Sequence, residues 1–152
     1  MSMPQSFGAI YLHYIFSTKH RCGWLTPEVC ERLYPFISGL ARDRKCSLLR
    51  IGGITDHVHL LVQSARDISP ADYVGQIKSN SSGWVHDHFP ELKTFAWQQG
   101  YAVFTVSQSA LETVTKYIDN QVEHHRTRTF QDEYRSFLLK HNMEIDERYA
   151  WD

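Results

Sequence analysis

Apolar residues recur along this chain with two periods, one of two residues and one near 3.6, and their succession predicts the order of elements. Residues 9–16 form a short, aromatic-rich apolar run that reads as a strand and leads into Ser17-Thr18-Lys19-His20-Arg21. Thr26-Pro27 suits an N-cap and first helical position. Val29, Leu33, Phe36, Ile37 and Leu40 follow at helical spacing, predicting a helix to about residue 44 that Pro35 kinks or divides. Two apolar runs, 47–51 and 57–63, flank Gly52-Gly53 and predict a hairpin turning at the glycines. Ser69-Pro70 opens a second helix with the stripe Tyr73, Val74, Ile77, Trp84 and Val85, and with Lys78, Ser79, Asn80, Ser81 and Ser82 on its polar side. Residues 95–106 alternate as a strand with a break at Gly100. Ser109 and Glu112 then match a capping box for a third helix carrying Leu111, Val114, Ile118 and Val122. A last helix covers 130–140.

Strand, helix, strand, strand, helix, strand, helix is the order of an α+β, ferredoxin-like (RRM-like) sandwich, an antiparallel sheet with helices on one face and a C-terminal helical segment added. No repeat or Gly/Ser linker interrupts it, so residues 1–152 are expected to form one domain. At this length a chain buries roughly 68–70% of its extended surface, and stability requires neither metal nor disulfide.

Composition narrows the function. Sixteen Lys plus Arg against seventeen Asp plus Glu leave a net charge of −1, which excludes a globally basic nucleic-acid binder and leaves room for local basic patches. Cys22, Cys30 and Cys46 are an odd number without a paired spacing. They argue for a reducing compartment and against a disulfide framework or a cysteine zinc site. With no signal-like N-terminus and no apolar run long enough to span a bilayer, a cytoplasmic protein is expected, with no membrane partner. Nine histidines are the unusual count.

Two of them form the strongest local signal, Asp56-His57-Val58-His59-Leu60-Leu61-Val62. Residues two apart on a strand share a face, so His57 and His59 present two imidazoles together while Val58, Leu60 and Val62 turn to the core. Such a pair also occurs on plain surfaces, and a metal site needs a third ligand. The helix after Glu112 offers one. At 100° per residue, Tyr117, Gln121, His124 and Arg128 fall within a sector of about 60° beside the apolar stripe. Tyrosine is a nucleophile when a base or metal activates it, and a Gln side chain has an oxygen to give a metal. Amphipathic boundary positions look the same, so this edge acquires meaning only together with the histidine pair. Lys19, His20 and Arg21 form one local basic cluster. Arg42, Arg44 and Lys45 form a second, and His124, His125, Arg126 and Arg128 a third. Phe95, Trp97 and Tyr101 could stack on bases but suit a core equally well.

The run from Gly52 to Val62, followed later by Tyr117-Ile118-Asp119-Asn120-Gln121, closely resembles the IS200/IS605-like single-tyrosine transposases of the HUH superfamily. The likeness extends over nearly the whole chain. It implies a nuclease and strand transferase acting on single-stranded DNA, often at hairpin or palindromic ends. It implies that His57, His59 and Gln121 bind a Mg²⁺ or Mn²⁺ ion, and that Tyr117 attacks the scissile phosphate to form a 5′-phosphotyrosine. It also implies a homodimer, in some relatives with the tyrosine completing the partner's site. Lys19, His20, Arg21, Lys78, His124 and Arg128 are the expected DNA contacts, and His124 is also placed to take a proton from Tyr117. Two other classes compete. A histidine-triad nucleotide enzyme would carry a third histidine where this chain has Leu61. A non-catalytic ferredoxin-like single-stranded nucleic-acid-binding module would read bases on an open sheet face and leave the histidine pair unexplained.

Overall fold

The structure, a computed structural model, describes residues 4–152. Four strands form one antiparallel sheet in the order β2-β3-β1-β4: β1 is Tyr11–Ser17, β2 Ser47–Ile54, β3 His57–Gln63 and β4 Ala102–Val106. Two crossover helices, α1 (Pro27–Asp43) and α2 (Pro70–His88), connect them as the ferredoxin-like order requires. A C-terminal group follows, made of α3 (Leu111–Asp119), α4 (Gln121–His124) and α5 (Phe130–Lys140).

The central strands are buried on both faces, and the alternation of side chains sorts two cores. Leu12, Tyr14 and Phe16 of β1 and Val58, Leu60 and Val62 of β3 face α1 and α2, where Leu33, Ile37 and Ile77 close the larger core. Each such side chain contributes roughly 1.5–3 kcal/mol on burial. On the opposite face Ile15, Ala102 and Phe104 pack against Phe130 and Tyr134 of α5. The C-terminal helices therefore cover the second face of the sheet.

Several expectations shift in detail. The hairpin turns at Thr55 and Asp56, and Gly52 and Gly53 lie inside β2, paired with His59 and Val58. They are positions of close approach. A Cβ on Gly52 would lie 2.9 Å from both Cγ2 and the carbonyl oxygen of Ile118, so the missing side chain lets α3 settle directly on β2. The α1 helix runs unbroken through Pro35, which is exposed, so the carbonyl left without an N–H partner meets water. Ser81 is buried and accepts a hydrogen bond from Trp97 Nε1 at 2.9 Å, so it does not belong to the polar side of α2. Residues 95–100 are irregular apart from a bridge between Trp97 and Thr18, and Phe95 and Trp97 are core residues. Ser109 caps nothing. Its hydroxyl lies 3.0 Å from that of Ser107 within a 3-10 turn that precedes α3. The third helix itself breaks at Asn120, which leaves Val122 71% exposed and removes it from the apolar stripe.

Candidate active site

His57 and His59 stand on the β3 face that looks toward α5, and both are fully buried. Burying two imidazoles beside a sheet requires partners for all four ring nitrogens, and each has one. Asp56, in the turn, accepts from His57 Nδ1 at 2.8 Å, which aims Nε2 at Gln121 Oε1, also 2.8 Å away. His59 Nε2 lies 2.8 Å from Glu133 Oε1, and its Nδ1 lies 2.8 Å from His13 Nε2 on β1. An ionised carboxylate only accepts, so His59 carries its proton on Nε2 and receives one at Nδ1 from His13.

The α3–α4 break brings up the second half of the cluster. Asn120 turns the chain between two short helices, so Gln121 points inward with its side-chain oxygen on His57. Tyr117, at the C-terminal end of α3, lies with its ring 5.6 Å from that of His59. Its hydroxyl donates to Glu133 Oε2 and stands 3.2 Å from His124 Nε2. Of the four residues expected on one helical edge, Tyr117, Gln121 and His124 are thus gathered. Arg128 lies beyond the end of α4 and reaches the same region from the following loop.

Glu133 and His13 were not expected from the sequence. Glu133 is 1% exposed yet ionisable, and it sits on the inward face of α5 with Phe130, Tyr134 and Phe137. That was the available signal: a carboxylate inside an apolar helical stripe is costly unless partnered. Its partners are His57, His59, Tyr117 and Gln121, with His124 and His125 Nε2 each 3.3 Å from Oε2. His13 sits at an alternating position of a strand whose neighbours are apolar, and it gives no signal without β3 beside it.

The electrostatics follow from these contacts. Burial disfavours a charged His57, but hydrogen bonds to Asp56 and Glu133, the Glu133 charge and the Gln121 contact outweigh it and raise its pKa to about 9. Burial dominates at His59, lowered to about 4, and at His13, lowered to about 3. Burial also works against an ionised Glu133, yet hydrogen bonds from His125, His57 and His59 win and hold it far below the usual carboxylate range. Burial, the hydrogen bond to Glu133 and its charge push the Tyr117 phenol up, so at neutral pH it is protonated and needs an acceptor to react.

The basic residues divide. Arg21 lines an open cavity of about 480 Å³ together with His125, Arg126 and Arg128, and Tyr117 opens onto a smaller one of about 170 Å³ lined also by His124, Arg128 and Lys140. Lys19 and His20 are exposed on the same 3-10 turn as Arg21. Lys78 is not part of this group. It projects from α2, under the other face of the sheet, and its ammonium donates to the carbonyls of Gln98 at 2.8 Å and Gly100 at 2.6 Å.

The sequence model of the family described as "Transposase IS200 like" matches residues 6–121. The chain belongs to the IS200-like transposase family. The ISDra2 transposase TnpA of Deinococcus radiodurans is 26% identical over 129 residues, 80% of this chain and 92% of the relative. A crystal structure from Deinococcus radiodurans R1, of a protein described as a transposase, superposes with a TM-score of 0.65 at 28% identity, over 80% of this chain and 98% of that one. A REP-associated tyrosine transposase bound to a REP hairpin shares the fold, with a TM-score of 0.59 at 18% identity over 82% of this chain and 75% of its own. The family match ends at Gln121, so His124, His125 and the whole of α5 lie beyond it. No helix among the described residues is long and apolar enough to cross a membrane.

Proposed function

We propose that this IS200-like transposase is a single-strand endonuclease and strand transferase that cleaves and rejoins hairpin-marked single-stranded DNA through a 5′-phosphotyrosine on Tyr117. In this reading His57, His59 and Gln121 hold a Mg²⁺ or Mn²⁺ ion, and residues 1–152 are one catalytic domain working in the cytoplasm. The observation that carries the proposal is the convergence of Tyr117, Gln121 and the two strand histidines within hydrogen-bonding reach of one another or of Glu133. The donor set fits such an ion: one nitrogen of each histidine is fixed by Asp56 or His13, and the other faces the cluster. When bound, the ion would act as a Lewis acid on the phosphoryl oxygens and orient the leaving group.

The residues then divide the work. The Tyr117 oxygen forms a bond to the scissile phosphorus as the bond from phosphorus to the 3′ oxygen breaks, and the departing oxygen takes a proton from water to become a free 3′-hydroxyl. The phenolic proton passes to His124 Nε2, 3.2 Å away. Burial and its neighbours lower the His124 pKa, which keeps that nitrogen free to accept. Rejoining runs the same step backwards from another strand's hydroxyl, and needs no nucleotide cofactor because the phosphotyrosine retains the diester's energy. Arg21, Arg128 and the exposed Lys19 and His20 are the proposed phosphate contacts. The REP hairpin held by a protein of the same fold supports a hairpin as substrate. The proposal includes a homodimer; within one chain the Tyr117 ring lies 5.6 Å from that of His59.

A non-catalytic module that reads bases on an open sheet is disfavoured, because β1 and β3 are covered on both faces. The test is incubation with end-labelled single-stranded hairpin DNA and Mn²⁺. A covalent protein-DNA adduct that survives denaturation is expected, and it should vanish in Tyr117→Phe and on addition of a chelator. Binding across many hairpins with no adduct would sink the proposal.

A further inference from the structure

Resting on the metal-assisted reading above, we infer that Glu133 is a direct ligand of the ion and the source of negative charge in its coordination shell. His57, His59 and Gln121 are all neutral ligands. A hard dication such as Mg²⁺ or Mn²⁺ favours carboxylate oxygens, so a set of two imidazoles and an amide binds it more tightly with a carboxylate added. Glu133 supplies that carboxylate from α5, beyond the segment matched by the family.

The distances agree. With metal-ligand bonds of about 2.1 Å, neighbouring donors of an octahedron lie about 3 Å apart. Glu133 Oε1 is 2.8 Å from His59 Nε2 and 3.3 Å from His57 Nε2, and His57 Nε2 is 2.8 Å from Gln121 Oε1. These four atoms are the spacing of adjacent ligands. His125 adds an independent observation. Its Nδ1 faces the Arg128 carbonyl oxygen at 2.7 Å and donates to it, which turns Nε2 toward Gln121 Oε1 at 3.1 Å and Glu133 Oε2 at 3.3 Å. His57, His125 and Glu133 each offer a ligand atom within 4.8 Å of the others. The buried carboxylate also lies between the metal-binding pair and the nucleophile, with Oε1 on the histidines and Oε2 on Tyr117. It thus sets how far the phenol stands from the ion.

The test is Mn²⁺ binding to the full chain, read as loss of the free-ion electron paramagnetic resonance signal. Wild type should bind, His57→Ala should lose binding, and Glu133→Gln and Glu133→Ala should bind at least about tenfold more weakly. Tyr117→Phe, which removes a neighbour but no ligand, should bind within a few-fold of wild type. Glu133→Gln binding as well as wild type while His57→Ala fails would overturn the inference and leave the histidine site standing. Tighter binding by Glu133→Gln would also overturn it, showing a carboxylate that plugs the ion's place. Absence of Mn²⁺ binding by wild type would overturn both this inference and the metal-assisted mechanism. A second measurement needs no variant: Mn²⁺ should slow hydrogen exchange along Phe130–Lys140 in wild type. Protection confined to β3 and α4 would refute ligation by Glu133.

Discussion

His13 shows how much of this site depends on single atoms. It contributes no group to the substrate, yet its Nε2 is the buried partner of His59 Nδ1 at 2.8 Å. In the proposed metal-bound form His59 Nε2 would give up its proton and Nδ1 would donate to His13, so the pair would exchange tautomers while remaining hydrogen bonded. His13→Leu leaves His59 Nδ1 buried without a partner and should weaken Mn²⁺ binding by about tenfold, measured by the same ion titration. His124 is a different kind of residue, partly exposed and 3.2 Å from the phenol. Loss of a general base typically costs 10²–10⁴-fold. His124→Ala should therefore slow adduct formation by roughly 10²-fold while leaving Mn²⁺ affinity unchanged, and added imidazole should restore part of the rate. An unchanged rate would give the proton to another acceptor.

At the scale of elements, two local devices bring α3 and α5 to the sheet. Gly52 allows α3 to touch the backbone of β2, and Thr129 caps α5 by accepting from Asp132 N at 3.1 Å. Gly52→Ala places a methyl where Ile118 already sits. Overpacking of this kind costs about 1–3 kcal/mol, and here the relief is movement of α3. Thermal melts should show that loss, and adduct yield should fall more than stability alone explains because Tyr117 rides on the same helix. Thr129→Ala should cost about 1 kcal/mol. The glycines were read differently from the sequence: an adjacent pair between two apolar runs looks like a turn, and the same pair serves equally to bring a helix close. Helical periodicity over 111–128 likewise assumed one helix, and a single Asn120 turn kept Tyr117, Gln121 and His124 together while exposing Val122.

For the whole molecule, a net charge of −1 coexists with a local concentration of cations around the active-site openings. Arg21, Arg126, Arg128 and Lys140 line those openings, and the remainder of the surface need not attract DNA. Each phosphate contact to a single strand contributes a slope of roughly −0.7 to the plot of log affinity against log salt, so contacts by Lys19, Arg21 and Arg128 predict about −2. Arg128→Ala should reduce the slope by about 0.7 and weaken binding at low salt. Lys78→Ala should leave the slope unchanged and instead lower the melting temperature, since the ammonium satisfies carbonyls of the 98–100 loop. A salt slope that fell in Lys78→Ala would mean that DNA runs along α2.

The sequence by itself determined the order of the ferredoxin-like elements and the shared face of His57 and His59. Each of these follows from the repeat of a single element, which is local and readable residue by residue. Only the tertiary structure decided that α5 covers the second face of the sheet, that Glu133 lies among the histidines, that His13 backs His59, and that Lys78 stands apart. Those are relations between segments far apart in the chain. They arise because buried polar groups must find partners wherever packing brings them, and no local period records which partner that will be.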